Sequence, residues 1–599
     1  MCGIAGSIDP IAERAMATVA RLNDAQAHRG PDHTMVTRIG GIALGNTRLA
    51  IQDPTLSGNQ PFGSADGRYT CVFNGEIYNH RELVERFQLP VRTSCDGEVI
   101  PHLWAKLGPG SIAELRGMFA IAVVDALEER LYLARDPFGM KPLYWRRLPD
   151  GCFVFASEVR PLARLADGAR IDAEAVARYL RFGAMAADQS PFLEITGVPP
   201  NSVASIRRDG PVEVRPIQPG GPAAMQPPAS LGEALAESVE LHLSADVPTA
   251  LLLSGGVDSA AIAAVSRRLG TTLCCLTIAT GGPVDETEAA VRTARRYGHY
   301  LRLVSAAIED GDVARFFQAM QRPTIDGLNT YLVCRAVHRA GFKVALSGLG
   351  GDEAVGGYSH FRLLRYLPML RAMDALPFPS GGLAVGLAAR LGNVRQAKAG
   401  RLLRKGGPRS ALELALLQRE LFPAPLVSEL TGVGFGRAAA VAEAPGWPVG
   451  CSPGSFAALA AAEVAVYLQP MLLPDADAFS MTSSVELRLP FVDGCVFSAA
   501  LDSARSRKAP GKVAIGAALG DPYLTFLARQ PKRGFSLPME SWLAGPLAPL
   551  LTAASEPGAP VWSLVDRARA EDAGMLPLRP HRRWAEPWAL AVLNAWLEV

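Results

Sequence analysis

Residues 247–270 read VPTALLLSGGVDSAAIAAVSRRLG, and this pattern predicts the architecture of the second half of the chain. A short apolar run ends in a glycine turn, and the alanine-rich residues behind the turn are typical of an amphipathic helix. A strand followed directly by a helix is the repeating unit of parallel sheets. The backbone N–H groups of such a turn, with the helix N-terminus, can hold a pyrophosphate. The turn is not a Walker loop, because the sequence Gly-Lys-Ser/Thr is missing.

The segments around this stretch continue the alternation of strand and helix. Alternation of this kind predicts a parallel sheet with helices on both of its faces. The predicted strands are TLCCLTIAT at 272–280 and KVAL at 343–346, and the predicted helices are 230–243 and 286–298.

From about residue 360 the chain is rich in Leu and Ala and has few strand signals, so we expect helices packed on that sheet. The longest apolar stretch, 456–473, contains Glu463 and Gln469. Because these polar residues interrupt it, we interpret it as a buried helix and not as a membrane span.

The first part of the chain has a different pattern of short apolar runs broken by Gly, Pro and Asp. This pattern predicts a domain dominated by sheets over residues 2–215, a linker at 216–229 whose Pro, Gly and Ala content excludes a regular element, and a second domain at 230–599. The strand-like runs are GGIALGNTRLAI (40–51), YTCVFNGEI (69–77), MFAIAVVD (118–125), RLYLARD (130–136) and GCFVFASE (151–158).

Composition excludes several classes of protein. The chain has 599 residues, of which 49% are hydrophobic and 20% charged, and a formal net charge of +2. This balance is typical of globular enzymes and gives no bias toward nucleic acid or an anionic membrane surface. Nine cysteines form no CxxC pair. Together with the absence of a secretory signal pattern, this predicts a reducing, cytoplasmic environment.

The N-terminus raises the question of a catalytic thiol. If Met1 is removed, Cys2 carries both a nucleophilic sulfur and a free α-amine, whose pKa near 8 lets it act as the base. Seen alone, a cysteine at this position is more often a small residue that begins a strand. The motifs that follow it favour the catalytic interpretation; they are MCGIAG (1–6), HRGPD (28–32), NTRLAI (46–51), FNGEIYNH (73–80), CDGEV (95–99), LRGMFA (115–120), ARDPFGMKPLYW (134–145) and FASE (155–158).

In this order, the motifs resemble the class II glutamine amidotransferase domain. The resemblance implies an α+β N-terminal-nucleophile hydrolase sandwich (αββα) that releases ammonia from glutamine through a thioester on Cys2. It implies that Asn74 and Gly75 stabilise the oxyanion, that Arg48 binds the glutamine carboxylate and that Asp96 binds its ammonium. The implied glutamine-binding residues are Arg48, Leu49, Ala50, Ile51, Gln52, Asn74, Gly75, Glu76 and Asp96.

The second half resembles the α/β ATP-pyrophosphatase domain of glutamine-hydrolysing asparagine synthetases. The motifs are SGGVDS (254–259), PTIDGLNTY (323–331), SGLGGDE (347–353), SMTSSVELRLPFVD (480–493) and PKRGFSLP (531–538). The resemblance implies ATP and Mg²⁺, with Asp258 and Asp352 as metal ligands and Lys532 as a cation for the developing phosphate charge. The implied ATP-binding residues are Leu253, Ser254, Gly255, Gly256, Asp258, Ser259, Ile278, Ser347 and Gly348.

The family's reaction joins the two halves. A carboxylate attacks the α-phosphate of ATP, and the resulting acyl-adenylate is attacked by ammonia that reaches it through an internal tunnel, which keeps it neutral. Aspartate is the acceptor that the family implies, and asparagine is the product. The expected partners are small molecules, with no nucleic acid and no membrane; a homodimer is compatible with the sequence.

One departure from the family leaves the acceptor open. Standard asparagine synthetases carry SGEG at the second glycine turn, whereas this chain has Leu349 in place of that glutamate. Leucine cannot act as a base, so either Glu353 or Asp326 replaces it or the acceptor is another carboxylate, such as a sugar acid or a peptide side chain. An ATP-dependent amide cyclase and a regulatory protein on the same fold are further alternatives. The retained Cys2, Arg48, Asn74 and Asp96 argue against the cyclase, which needs no glutaminase.

Overall fold

The computed structural model describes residues 2–166, 168–217, 230–279, 286–305, 307–374, 394–403, 407–434, 452, 454–505, 511–530, 537–579 and 584–599. Most of the predicted linker, residues 218–229, lies outside this range. The strands are β1 (Cys2–Ile8), β2 (His33–Ile39), β3 (Ile42–Arg48), β4 (Phe62–Gly63), β5 (Tyr69–Ile77), β6 (Gly117–Asp125), β7 (Arg130–Arg135), β8 (Tyr144–Arg147), β9 (Phe153–Ala156), β10 (Ile195–Gly197), β11 (Ser202–Ile206), β12 (Glu213–Pro216), β13 (Thr249–Leu252), β14 (Cys274–Ala279), β15 (Tyr300–Ser305), β16 (Val344–Leu346) and β17 (Glu486–Arg488).

Helices of the α type carry most of the remaining described residues. They are Ala12–Ala25, His80–Phe87, Val99–Leu107, Val159–Ala163, Ala173–Phe182, Leu231–Leu243, Val257–Arg268, Thr287–Tyr297, Asp312–Ala319, Leu328–Arg339, Gly351–Val355, Leu367–Asp374, Val394–Leu403, Ala411–Arg419, Ala424–Thr431, Phe456–Glu463, Leu473–Met481, Gly494–Arg505, Val513–Ala518, Pro522–Arg529, Met539–Leu543, Ala548–Ser555, Arg567–Asp572 and Ala585–Glu598. Short 3₁₀ turns are Ala27–Arg29, Leu56–Gly58, Asp96–Glu98, Gly108–Glu114, Ser359–Tyr366 and Pro560–Ser563, and Val464–Leu472 is a π-helix.

Two antiparallel sheets of six strands form the first part of the fold. Their strand orders are β10-β8-β9-β1-β3-β2 and β12-β11-β7-β6-β5-β4. Alternate residues of the two sheets meet in one apolar layer, in which Ile4 and Leu44 of the first sheet pack with Val72 and Ala122 of the second. This is the predicted sandwich.

Helices cover the outer face of each of these sheets. Val19 of the helix Ala12–Ala25 packs on the first sheet beside Ala43. Trp104 of the helix Val99–Leu107 packs on the second sheet beside Phe73. The order of layers is therefore helix, sheet, sheet, helix, which confirms the predicted αββα fold.

A parallel sheet of five strands, ordered β15-β14-β13-β16-β17, forms the centre of the second part. Ile262 of the helix Val257–Arg268 belongs to the apolar cluster on one face of this sheet. Val337 of the helix Leu328–Arg339 and Ala476 belong to the cluster on the other face. Both faces are covered, as predicted for parallel strands. The strands β15 and β17, at the two edges of this sheet, were not predicted.

The apolar stretch 456–473 lies within a continuous helical segment. Phe456–Met481 is long and apolar enough to cross a membrane by length and composition, and 67% of its most apolar window is buried inside the fold. Leu459 and Leu468 are fully buried, and Glu463 is buried with them, paired to Arg419 at 2.5 Å. Burial against the rest of the chain is what a core helix shows, in agreement with the prediction.

One buried ion cluster makes a prediction about stability. Asp312 is fully buried and accepts hydrogen bonds from Tyr331 Oη at 3.0 Å and Arg315 at 2.8 Å, besides an ion pair with Arg335. Burial acts to raise the pKa of Asp312, but these donors lower it to about 2.

We expect Asp312→Asn to destabilise the protein by about 3 kcal/mol at pH 7, because Arg335 loses its buried partner. The folded pKa of Asp312 lies below the unfolded value, so its contribution is complete above about pH 4 and is lost as the pH falls toward 2. Melting temperatures of the wild type and the variant should therefore converge on acidification. The exposed Asp310→Asn is the matched control; an equal loss of stability in that variant would contradict the prediction.

Candidate active sites

The thiol predicted as nucleophile begins a central strand of the first sheet. Cys2 is the first residue of β1, which lies between β3 and β9, and only 5% of its surface is exposed. Gln60 Nε2 donates to Cys2 Sγ over 3.6 Å. Gln60 is fixed on β5, because its amide makes two hydrogen bonds with the backbone of Phe73, at 2.7 and 2.9 Å. Gln60 stands in none of the sequence motifs and was not predicted.

Asn74 lies beside Cys2, and only one of its two side-chain amide atoms has a hydrogen-bond partner within the described part of the chain. Asn74 Oδ1 accepts a hydrogen bond from Cys2 N–H at 3.0 Å. Asn74 Nδ2 is buried and has no hydrogen-bond partner within the described part of the chain. Leaving such a donor buried and unpaired costs about 1–3 kcal/mol. A donor of this kind beside a nucleophile is what the oxyanion of an acyl-transfer reaction requires.

The position after Asn74 tolerates only glycine. Gly75 has φ of +151°, and a Cβ atom there would lie 2.0 Å from the carbonyl oxygen of Met118. Glycine is thus required for the close packing of β5 against β6 next to the thiol.

Arg48 shapes the loop that follows β3. It pairs with Cys2 in the sheet register, and its guanidinium donates to the carbonyl oxygens of Gln52 and Thr55, both at 3.0 Å, and to Asn59 Oδ1 at 2.6 Å. The side chain predicted to bind a carboxylate therefore also folds loop 49–59 beside the thiol.

The loop residues predicted to bind glutamine face in different directions. Leu49 and Ile51 pack with Val344 and Met481 of the second half, so only their backbone is available to a ligand. The Ala50 N–H is taken by Asp32 Oδ2 at 2.8 Å.

Two buried carboxyl groups lie behind Gly75. Asp96 Oδ2 accepts from the Ile77 N–H at 2.7 Å, and Glu76 accepts from Gln52 Nε2 at 2.7 Å. Burial raises the pKa of both Asp96 and Glu76. A pair of buried carboxyl groups with raised pKa favours the arrival of a cation, such as an amino-acid ammonium.

Arg488 connects this site with the second half. Its guanidinium lies between Glu76, at 3.0 Å, and Glu486, at 2.5 Å. Burial acts to raise the pKa of Glu486, but Arg488 lowers it to about 2. The Arg488 carbonyl oxygen accepts a hydrogen bond from the N–H of Ser347 at 2.9 Å. One buried residue thus contacts both Glu76 and the second glycine turn.

The predicted ATP-binding residues surround one pocket of about 250 Å³ at the carboxyl ends of β13, β14 and β16. Ligands of open parallel sheets bind at this edge. Gly255 and Gly256 lie in the turn below it, where their N–H groups bond Glu286 Oε2 at 3.2 Å and Ser254 Oγ at 3.1 Å. Glu286, Asn329, Thr330 and Leu349 also line the pocket and were not predicted as ATP-binding residues; the predicted residues that line it are Leu253, Ser254, Asp258, Ser259, Ile278, Ser347 and Gly348.

The two predicted magnesium ligands share one cation in this structure. Lys512 Nζ pairs with Asp258 Oδ2 and, at 2.7 Å, with Asp352 Oδ1. Magnesium is commonly bound by one or two carboxylates together with substrate phosphates. Two carboxylates that converge on a single ammonium fit this requirement, although no group of three metal-binding side chains occurs in the described residues. Lys512 stands in none of the motifs and was not predicted.

The candidates proposed to replace the missing glutamate occupy different places. Glu353 is 1% exposed, accepts a hydrogen bond from Tyr358 Oη and does not line the pocket. Burial raises the pKa of Glu353 to about 7. Arg419 lies over the ring of Tyr358 at 4.3 Å. Burial also raises the pKa of Asp326, whose N–H donates to Thr324 Oγ1 at 3.2 Å. Lys532 lies outside the described residues.

Comparison with known proteins gives matches over both halves. The family model described as glutamine amidotransferase domain matches residues 1–215, and the model described as asparagine synthase matches residues 230–598. Asparagine synthetase (glutamine-hydrolysing) 1 of Bacillus subtilis is 26% identical over 91% of this chain and 88% of its own. A Mycobacterium tuberculosis protein provisionally named as the same kind of synthetase is 31% identical over the same shares. The amidase ChyE of Penicillium rubens is 31% identical over 57% of this chain and 54% of its own.

Proposed function

Because this chain belongs to the glutamine-hydrolysing asparagine synthetase family, we propose that it converts ATP, L-aspartate, L-glutamine and water to AMP, diphosphate, L-asparagine and L-glutamate. It is an ATP-dependent carbon–nitrogen ligase with glutamine as the amido donor. We assign residues 2–215 to glutamine hydrolysis and residues 230–599 to synthesis, and we place the enzyme in the cytoplasm, where its substrates are.

Glutamine hydrolysis follows from the contacts around Cys2. After removal of Met1, the nitrogen held by Asn74 Oδ1 is the α-amine, oriented to accept the proton of the thiol. The thiolate attacks the side-chain amide, and the unpaired Nδ2 of Asn74 donates to the oxyanion. The protonated amine then gives its proton to the leaving nitrogen, the C–N bond breaks and releases ammonia, and water hydrolyses the thioester that remains on Cys2. Asp96 pairs with the glutamine ammonium, and the arriving cation favours the ionised form of this buried carboxyl group.

Asn74→Asp is expected to lower glutamine hydrolysis by about 10²-fold or more, because an oxygen replaces the nitrogen that donates to the oxyanion. The variant keeps the shape of the side chain and the oxygen that holds the Cys2 nitrogen. Glutamate release is measured by coupled assay, and synthesis from ammonium chloride serves as the internal control. Glutamine hydrolysis at the wild-type rate by this variant would show that Asn74 does not stabilise the oxyanion.

Carboxylate activation follows from the pocket above the parallel sheet. The first glycine turn and the start of the helix Val257–Arg268 bind the phosphates, while Ser347 and Gly348 border the adenosine part. Lys512 neutralises the charge that develops as diphosphate leaves. Asp258 and Asp352 would hold Mg²⁺, which supplies Lewis-acid stabilisation of the phosphate oxygens.

The observation that carries this proposal is the presence of both sites in one chain, with Asn74 Nδ2 unpaired beside Cys2 and two carboxylates converging at the nucleotide pocket. The test uses glutamine labelled with ¹⁵N in the amide, ATP, Mg²⁺ and aspartate, with mass spectrometry of the products. Labelled asparagine together with AMP is the expected result. Glutamate without any labelled amide would contradict the proposal.

A second acceptor is favoured by one observation, the position of Leu349. Its apolar side chain lines the nucleotide pocket where the family has a glutamate. If the acceptor carries an apolar group next to its carboxylate, Leu349 would contact that group. Running the same labelling experiment with a panel of sugar acids and acidic peptides separates this alternative, since the label then appears in another amide and not in asparagine.

A further inference from the structure

A cavity of about 30 Å³ lies where the two halves of the chain meet. One wall contains Arg29, whose Nε donates to the carbonyl oxygen of Cys2 at 3.2 Å. The cavity wall also contains Asp475, whose neighbour Ala476 lines the nucleotide pocket. Residues of the cavity wall therefore contact Cys2 on one side and adjoin a residue of the nucleotide pocket in sequence on the other. Its volume is sufficient for a molecule the size of water or ammonia.

Most charges in the cavity wall are already paired. Asp477 binds Arg29 at 2.7 Å and Lys141 at 3.3 Å. Glu158 binds Arg29 at 3.2 Å and His28 at 2.9 Å. Both carboxylates thus have at least one buried cationic partner, Arg29, so they are neutralised within the protein and have little remaining attraction for a ligand.

Asp475 differs from these carboxylates. It is 7% exposed, and the hydrogen bond that the described residues give its carboxyl comes from Thr324 Oγ1, at 2.8 Å, a neutral donor. Arg322, which also lines the cavity, donates to the carbonyl oxygens of Ala186 and Pro470 at 2.7 and 3.0 Å. Among the described residues, Asp475 is consequently the carboxyl of this cavity that forms no ion pair with a cation.

The electrostatic setting of Asp475 agrees with its geometry. Burial raises the pKa of Asp475 well above its usual range, and the nearby Asp326 raises it further, against the smaller effects of Thr324 and Arg322. A buried acid of this kind binds a cation as an ion pair or a neutral base as a hydrogen-bonded pair, since both pairs have zero net charge.

We propose that Asp475 is a binding site for the nitrogen in transit, holding it as ammonia on a carboxylic acid or as ammonium on a carboxylate. This inference rests on the proposed function and adds a residue to it. Passing from one pair to the other moves a single proton: one O–H bond breaks and one N–H bond forms, and the reverse step releases neutral ammonia toward the acyl-adenylate. No other reactant is required.

The test measures how much asparagine forms for each glutamate released. We expect Asp475→Asn to lower this ratio by at least about twofold, because an amide cannot exchange a proton with the nitrogen and free ammonia escapes. The rate of glutamine hydrolysis and the rate of synthesis from saturating ammonium chloride should stay near wild type. Asp475→Glu should restore part of the coupling, and the exposed Asp572→Asn should behave as the wild type.

A ratio unchanged in Asp475→Asn would overturn the inference, as would equal loss of synthesis from ammonium chloride, which would place Asp475 in the acyl-transfer step. If Asp475→Asn does not fold, Thr324→Val, which removes the hydrogen bond to the carboxyl, should lower the ratio instead. Failure of the proposed function is distinct, because the wild-type enzyme would then give no labelled asparagine at all.

Discussion

Replacing Cys2 with alanine is expected to reduce the formation of asparagine from glutamine by more than about 10³-fold, because the reaction loses its nucleophile. Synthesis from ammonium chloride should continue, since the nucleotide pocket and its carboxylates belong to the other half of the chain. Both rates are followed through asparagine and diphosphate under identical conditions.

Cys274→Ala is the matched control, because Cys274 lies in β14 and does not line the nucleotide pocket. This variant should still form asparagine both from glutamine and from ammonium chloride. Transfer of ¹⁵N from glutamine by Cys2→Ala would contradict the assignment of Cys2. Loss of asparagine synthesis from both glutamine and ammonium chloride would show that Cys2 is needed for the fold instead.

Lys512→Met should impair synthesis and spare glutamine hydrolysis, which is the opposite of the result expected for Cys2→Ala. Loss of the ammonium that contacts Asp258 and Asp352 removes a positive charge next to the leaving diphosphate, so synthesis from either nitrogen source should fall by about 10²-fold or more. Glutamine hydrolysis should persist. Diphosphate release in the presence of aspartate measures the affected step.

The exposed Lys106→Met, whose ammonium donates to the Phe87 carbonyl oxygen, controls for the change in net charge. Near-normal diphosphate release by Lys512→Met would exclude a role for Lys512 in the activation step. A fall in glutamine hydrolysis in parallel with synthesis would indicate damage to the fold.

The strands that the sequence predicts are those with uninterrupted apolar pattern. YTCVFNGEI forms β5 and KVAL forms β16, because their residues face apolar layers that any alternating or fully apolar strand can join. The strand β17 escaped prediction, since it has three residues and two of them, Glu486 and Arg488, are charged. These charges are buried in an ion cluster with Glu76 of the first half, which a local pattern cannot reveal.

Some residues of the candidate sites could be predicted from the sequence, and others are brought to the site only by the fold. Cys2, Asn74 and Asp258 stand in contiguous motifs, so their chemistry is visible in the sequence. Lys512 is 254 residues from Asp258, and no motif connects the two. For Arg48, sequence reasoning supplies a role toward a substrate carboxylate, whereas the structure adds a role in folding loop 49–59, which depends on carbonyl oxygens that every residue has.

The position of Arg488 limits how this enzyme can be rebuilt. A chimaera that takes its first half from one relative and its second half from another would combine Glu76 of one parent with Arg488 of the other. A second half that lacks Arg488 would leave the buried Glu76 without its counter-ion, at a cost of about 3–5 kcal/mol, whereas a first half that lacks Glu76 would leave Arg488 paired with Glu486 alone. A first half that carries Glu76 should therefore be exchangeable only onto a second half that carries Arg488, and directed evolution of one half alone must leave this pair untouched.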